Sequence, residues 1–288
     1  MKRIILLCIL ILVSLFSLWF VLRGHSGTKG QKYNWYIQGK AYVLVPRSSD
    51  SYFLYDEQGE KQGVFYHLRQ YADRPWDEFD KPRLNVRCYA IEYNNGESFF
   101  SGLVFNSSEL RDALDLLSEK KWGFCEFVVG DMTLDLNDLR KLAQFHFDAL
   151  NFARCTLPMD IPPECYPSCN YLSLVGSTFP PDFLKDLPAN RQIEGLHITG
   201  PVPLNNADIV NISKIKSLKT LSLLQTWQKG TDLSPLTELL QLETLTLQGN
   251  LDVLDLSFTS KMPSLKKLEK EDIPPEDMAE EEPDNLKK

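Results

Sequence analysis

The chain has 288 residues, of which 43% are hydrophobic and 24% are charged, a composition typical of a globular protein with a substantial core. Its net charge of −8 is concentrated at the C-terminus, where residues 271–288 contain eight acidic side chains and two lysines. The rest of the chain is close to neutral, which excludes the basic footprint of a nucleic-acid-binding protein.

A charge-free, mostly apolar run occupies residues 4–22, directly behind Lys2 and Arg3. A run of this length can cross a hydrocarbon core of ~30 Å as a helix, whereas the apolar stretch of a cleaved signal peptide has only about 7–15 residues. We therefore predict a single-pass transmembrane anchor over residues 1–26, with the remaining chain outside the cytoplasm. Cleavage within the anchor region, near Ser26, is the alternative, and it would give a secreted protein.

Residues 31–105 contain strand-like aromatic runs such as YNWYIQGKAYVLV and VRCYAIEYN. They predict a small β-rich region, and the DEQG sequence at residues 56–59 favours a turn between two of its strands. The next segment, residues 106–121, has an apolar stripe at helical spacing behind a serine. This pattern predicts a helical lead-in that is capped by the serine and packs through Leu110, Leu114 and Leu117.

Residues 122–270 repeat one pattern of apolar positions. Its clearest copy, in DLSPLTELLQLETLTLQGN, places Leu242, Leu245, Leu247 and Asn250 at Leu-x-x-Leu-x-Leu-x-x-Asn spacing. The second apolar position of each copy falls at residues 127, 150, 172, 196, 221 and 245, with a weaker seventh at Leu268. The pattern resembles that of leucine-rich-repeat proteins, whose period is about 20–29 residues, and specifically the short repeats of the internalin type.

The resemblance implies an α/β fold, in which a solenoid of stacked coils contributes one short strand per coil to a parallel sheet on its concave face. The alternation of leucine and threonine in residues 241–250 predicts leucines in the core and threonines on the concave face. Asn250 and Cys155 fall where the chain turns inward, and their side chains are expected to bond backbone groups that the turn leaves unpaired.

The return segments of the coils are expected to differ from one another. Ser234 and Pro235 are typical of a helix start, and they predict a helix that packs Leu236, Leu239 and Leu240 inward. The proline-rich returns IPPECYPS and FPPDF are predicted to be extended.

The concave face is the predicted binding surface, because every coil contributes outward side chains to it. These side chains are small, polar and nearly uncharged, which suits contact with a protein or peptide. The predicted partner-binding residues are Glu126, Asn151, Tyr171, Ser173, His197, Thr199, Ser222, Leu224, Thr246 and Gln248.

The sequence contains no recognisable catalytic or metal-binding motif. The four histidines are not spaced as a ligand pair, and neither a G-x-S-x-G elbow nor a phosphate loop is present. We therefore predict no cofactor and no metal site. Cys165 and Cys169 can form a disulfide if the compartment is oxidising, and Asn106 and Asn211 begin glycosylation sequons that are short enough to occur by chance.

The leading hypothesis is a non-enzymatic, membrane-anchored protein-binding module of the leucine-rich-repeat type. One alternative is a structural or scaffold role, in which the solenoid only spaces or packs against other components of the cell envelope. A second alternative is an enzyme with a site around Asp77, Glu78 and Asp80 in the β-rich region. Residues 271–288 are predicted to be a flexible acidic tail, since they contain too few apolar residues to bury.

Overall fold

The structure, a computed structural model, describes residues 33–37, 40–48, 51–70, 86–118, 121–187, 193–200 and 203–273. Its described part is mixed α/β, with many strands and few helices, which confirms the class expected from the sequence. The chain divides into two compact units: residues up to 102 with 115–125, and residues 103–114 with 126 onward. The predicted anchor, the acidic group at Asp77, Glu78 and Asp80, and residues 274–288 lie outside the described ranges.

The first unit is built on an antiparallel meander, in which each strand pairs with the next one along the chain. The turn expected at residues 56–59 is confirmed: the Gly59 amide donates to the Asp56 carbonyl oxygen, and Gly59 has a φ of 81°. Aromatic and aliphatic side chains, including Phe65 and Leu54, form a buried cluster on one face. The strands are β1 (Tyr33–Ile37), β2 (Lys40–Pro46), β3 (Ser51–Tyr55), β4 (Lys61–Gln70), β5 (Val86–Tyr93) and β6 (Ser98–Val104).

Helix α1 (Ser107–Ser118) forms where the apolar stripe predicted it, and Leu110, Leu114 and Leu117 are buried. The predicted serine cap is wrong. The cap is Asn106, whose Oδ1 atom accepts from the amides of Ser108 and Glu109 at 3.1 and 2.9 Å. An asparagine caps a helix as well as a serine does, and Asn106 directly precedes the first residue of the helix.

The second unit contains a parallel ladder in which each strand again pairs with its successor. The register sets the second apolar position of every copy of the sequence pattern beside the next, from Phe127 opposite Leu150 to Leu245 opposite Leu268. The strands are β7 (Phe124–Gly130), β8 (His146–Ala153), β9 (Ser168–Val175), β10 (Gly195–Thr199), β11 (Thr220–Leu224), β12 (Thr244–Gly249) and β13 (Lys267–Asp272).

Strands β7 to β11 each stop just before a residue with positive φ, and in β12 the equivalent residue, Gly249, is the last residue of the strand. The residue with positive φ is Asp131 (51°), Arg154 (53°), Gly176 (60°), Gly200 (153°), Gln225 (55°) or Gly249 (146°). In the four copies with φ of 51–60°, the amide at this position donates to a carbonyl oxygen at the end of the next strand, as Gln225 does to Gln248 at 2.6 Å. A positive φ near 55° breaks the extended conformation, so β7, β8, β9 and β11 stop at equivalent residues, whereas β12 continues one residue further, through Gly249.

Side chains just after the positive-φ residue form hydrogen bonds with backbone amide and carbonyl groups, as expected. Cys155 Sγ donates to the Val129 carbonyl at 3.2 Å, and the hydroxyl of Ser177 donates to the Phe152 carbonyl at 2.9 Å while accepting from the Cys155 amide. The role expected for the Asn250 side chain is wrong: it makes no capping hydrogen bond, and the main-chain carbonyl oxygen of Asn250 accepts from Trp227 Nε1 at 2.9 Å.

The return segments contain more helix than predicted. Helices α2 (Leu136–Leu142) and α4 (Asn206–Ile212) both begin with a reciprocal capping box, made by Asp135 with Asp138 and by Asn205 with Asp208. Such a box satisfies two amides that a helix start leaves unpaired. The two proline-rich returns are not fully extended, because Pro163–Cys165 forms a 3₁₀ turn and α3 (Phe183–Asp186) follows FPPD.

The return after Gly230 corrects a further prediction. Ser234–Glu238 is a 3₁₀ helix in which Leu236 is buried, but Leu240 is 63% exposed rather than packed inward. Ser234 is its first residue and not its cap, and the Ser234 amide donates to Asp232 Oδ1 at 2.8 Å. Leu236 and Leu239 are three residues apart, the 3₁₀ repeat, and both are buried, whereas Leu240 lies beyond the end of the helix.

The end of the described chain also differs from the prediction. Glu271 and Asp272, which were assigned to the flexible tail, belong to β13, where Glu271 accepts from Gln248 Nε2 at 3.1 Å and Asp272 from the Leu251 amide at 2.9 Å. None of the helices in the described ranges is both long enough and apolar enough to cross a bilayer, and residues 4–22 lie outside those ranges.

Candidate functional site

The strand face is the name we give to the side of β7–β13 that carries the residues alternating with the core leucines. In β12 the core positions Leu245 and Leu247 are fully buried, while Thr244 and Thr246 on the strand face are half-buried. Since parallel strands are in register, equivalent residues form rows that run across the strands at a spacing of about 4.8 Å.

Three such rows follow from the register. The first row is Glu126, Ala149, Tyr171, Gly195, Thr220, Thr244 and Lys267. The central row is Val128, Asn151, Ser173, His197, Ser222, Thr246 and Glu269. The third row is Gly130, Ala153, Val175, Thr199, Leu224, Gln248 and Glu271.

All ten predicted partner-binding residues occupy these rows, but their exposure differs. Half-buried side chains are Glu126, Tyr171, Thr199, Ser222 and Thr246. Buried side chains are Asn151, Ser173, His197, Leu224 and Gln248. The buried polar side chains form the middle of the face, and they make it a partly desolvated surface rather than an open, hydrated one.

The central row contains three adjacent side chains with a buried polar atom that has no hydrogen-bond partner among the described residues. The atoms are Asn151 Oδ1, Ser173 Oγ and His197 Nδ1, and the three residues are 9%, 2% and 1% exposed. The other ring nitrogen of His197 is bonded, with Nε2 2.7 Å from the hydroxyl of Thr199. Thr199 therefore fixes the ring of His197 and leaves Nδ1 in the row.

Burial also determines the charge of this face. Burial lowers the pKa of His197 to about 4, so its ring is neutral near pH 7. Burial raises the pKa of the Glu126 carboxyl to about 7 and also raises the pKa of the Tyr171 phenol. From β8 to β12, the three rows contain no acidic or basic residue other than this neutral histidine.

Charged side chains are collected at the margins of the strand face. At the strand starts, Lys219 bonds Glu194 at 2.7 Å and Lys266 bonds Glu243 at 2.9 Å. At the last strand, Glu269 accepts from the Thr246 hydroxyl at 2.9 Å. The charges are thus paired with each other or with hydroxyl groups around an uncharged centre.

Two open grooves lie on the return segments, away from the strand face. The larger, of about 610 Å³, is lined by Lys216, Thr237, Glu238, Leu240 and Gln241, and the smaller, of about 320 Å³, by residues that include Met159, Tyr166 and Phe183. In the larger groove Lys216 and Glu238 already form a 2.8 Å ion pair. These grooves have no buried, unpartnered polar atom of the kind found in the central row.

The remaining sequence candidates lie elsewhere. Cys165 is buried with its thiol 3.9 Å from the Leu136 carbonyl, and it forms no disulfide with Cys169. Asn211 is 8% exposed and its Oδ1 atom accepts from Lys214 Nζ, an arrangement that disfavours glycosylation. Within the described ranges, no group of three or more His, Cys, Asp or Glu side chains is placed to hold a metal ion.

Comparisons of the chain with protein-family models, with curated proteins and with solved structures found no match. Its function is therefore argued from its own residues.

Proposed function

We propose that this chain is a non-enzymatic protein-binding module of the leucine-rich-repeat type, held at a membrane by residues 4–22, which presents its strand face to a protein or peptide. The observation that carries the proposal is the uncharged centre of that face. Across β8–β12, neutral polar and apolar side chains lie side by side, with charges only at the margins.

The repeat assignment is supported by register and by backbone. The second apolar position is paired in register in all seven copies, and a residue with positive φ occupies the equivalent position in the six copies from β7 to β12. Stacked repeats bury their apolar residues against neighbouring repeats, and the core residues Leu172, Leu196, Leu221 and Leu245 are all fully buried.

A protein partner fits the composition of this face better than a charged ligand does. The central parts of protein interfaces are depleted of charged residues, and tyrosine is enriched at positions that dominate binding energy. The half-buried ring of Tyr171 provides aromatic surface in the first row, beside the polar central row. A partner that covers this surface gains apolar burial together with hydrogen bonds.

Photo-crosslinking tests the proposal in the membranes of the source cell. A photoreactive phenylalanine is placed at Ser222 or Thr246 on the strand face, and at the matched control positions Met159 and Leu240, which are 68% and 63% exposed outside that face. We expect one discrete adduct from Ser222 and Thr246 and none from the controls. Adducts from the controls alone, or from no position, would refute binding through the strand face.

A further inference from the structure

The central row contains hydrogen-bonding capacity that the described part of the chain does not use. Asn151, Ser173 and His197 are consecutive in the row, on β8, β9 and β10, and each has one buried polar atom without a partner. A buried polar atom left without a partner destabilises the fold, because it has lost its hydrogen bonds to water. A hydrogen-bonding group that reached these three aligned atoms would stabilise them, and to reach them it must part the side chains that cover them.

The row distinguishes between ligand groups by charge. Its members and their row neighbours Val128 and Ser222 are uncharged, with His197 neutral near pH 7. A charged ligand group would lose its hydration without meeting an opposite charge, which is strongly unfavourable in a desolvated site. A neutral group with both donors and acceptors would lose much less hydration free energy than an ion. It would also form hydrogen bonds with the amide oxygen, the hydroxyl and the imidazole nitrogen.

The length of the row indicates what kind of neutral group fits. Two strand spacings separate Asn151 from His197, so the three atoms span about 10 Å. Three residues of extended polypeptide also span about 10 Å, and they offer amide N–H and C=O groups in alternation. Asn151 Oδ1 accepts only, so it requires an N–H donor, whereas the hydroxyl of Ser173 can donate or accept.

We infer that Asn151, Ser173 and His197 form a hydrogen-bonding site for an uncharged main-chain segment, about three extended residues that cross β8, β9 and β10. This inference rests on the proposed protein-binding function and specifies the group that is recognised. The side chains of the partner then meet the first and third rows, where Tyr171 and Leu224 lie.

The test uses the full-length chain in detergent, labelled with ¹⁵N at its histidines. The chain has four histidines, so the spectrum is simple, and H197Q assigns the signal of interest. The probe is N-methylacetamide, a single peptide group, compared with acetate and methylammonium, which are similar in size but charged. His146, an exposed histidine on the same ladder that bonds Ser168 at 2.9 Å, is the internal reference for an intact fold.

We expect N-methylacetamide to shift the His197 resonance saturably while the His146 resonance stays in place, and acetate and methylammonium to have no saturable effect. The variants S173A and N151L should each weaken the response about fivefold, since each removes one hydrogen bond. S222A, in the same row but outside the unpartnered group, should change it less than twofold.

Two results would overturn the inference: a His197 resonance that does not respond to N-methylacetamide, or one that responds equally to the ions. If face-specific crosslinks form in either case, the proposed function stands and only the recognised group is wrong. If the probe binds as expected but no face-specific crosslink forms, the site holds a small amide and the proposed protein-binding function fails.

Discussion

The ring of Tyr171 lies over the backbone of Gly195, its register partner on the next strand. A Cβ atom at residue 195 would stand 2.1 Å from Cδ2 and 2.5 Å from Cε2 of that ring, closer than van der Waals contact permits. The glycine thus allows the tyrosine to lie along the first row, beside the polar central row. This pair determines much of the shape of the strand face.

Substituting Gly195→Ala should destabilise the fold by about 1–3 kcal/mol, because the tyrosine ring must leave its position. In the Tyr171→Ala background the same substitution should be neutral or slightly stabilising, since the space is then empty and alanine is favoured over glycine in a strand. Urea unfolding of the wild type, both single variants and the double variant measures the coupling. Additive effects would contradict the packing described.

A second prediction compares Ser177 and Thr226, which lie just after equivalent turns. The hydroxyl of Ser177 donates to Phe152 and accepts from the Cys155 amide, whereas the Thr226 hydroxyl is buried without a partner. Thr226→Val should therefore stabilise the fold by about 1 kcal/mol, and Ser177→Ala should destabilise it by about 1–3 kcal/mol. Denaturation midpoints measure both changes. An equal loss of stability in the two variants would show that the Thr226 hydroxyl does have a hydrogen-bond partner in solution.

The turn residues give a third prediction. Gln225 and Gly176 occupy equivalent positions with φ of 55° and 60°, and the Gln225 side chain is exposed. A non-glycine residue is strained at such a φ, so Gln225→Gly should stabilise the fold by about 0.5–1 kcal/mol and Gly176→Ala should destabilise it by about 1 kcal/mol. Thermal unfolding of the two variants checks the opposite signs. A loss of stability in both variants would mean that the two turns are not equivalent.

A fourth prediction concerns pH. Burial raises the pKa of Glu126 from 4.5 to about 7, so its contribution to stability is complete below pH 4.5 and is lost as the pH rises to 7. Burial lowers the pKa of His197 from 6.5 to about 4, so its contribution is complete above pH 6.5 and is lost as the pH falls to 4. The two effects oppose each other between pH 4.5 and 6.5.

Removing one group should expose the effect of the other. In E126Q, stability should rise with pH from 4 to 6.5, and in H197Q it should fall from pH 4.5 to 7. Urea midpoints at half-unit pH steps measure the slopes. The same slope in the wild type and both variants would show that neither group titrates as its burial indicates.

The strands of the second unit could be predicted because their apolar residues alternate and recur at a nearly constant step, which fixes both the conformation and the buried side. The rows of the strand face follow from the same register. Helices α2 and α4 were missed, although Asp135-x-x-Asp138 and Asn205-x-x-Asp208 are capping-box patterns that could have indicated them.

The burial of the central row could not be predicted in the same way. Ser173 and His197 are polar residues at outward positions, and alternation alone suggests that such residues are exposed. Their burial depends on contacts between residues far apart in the sequence, of the kind that places the Tyr171 ring over Gly195. The unpartnered atoms of the central row therefore could not be predicted from the sequence, and they follow only from the three-dimensional structure.

The measurement that tests the central claim most directly is the affinity of the crosslinked partner for two charge variants of the full-length chain. Ser222→Lys places a charge in the uncharged centre of the strand face, and Leu240→Lys places the same charge on an exposed return position. With both variants folded by circular dichroism, we expect Ser222→Lys to weaken binding at least tenfold and Leu240→Lys to change it less than twofold. Unchanged binding by Ser222→Lys, with loss in Leu240→Lys, would place the interface on the return side and contradict the account.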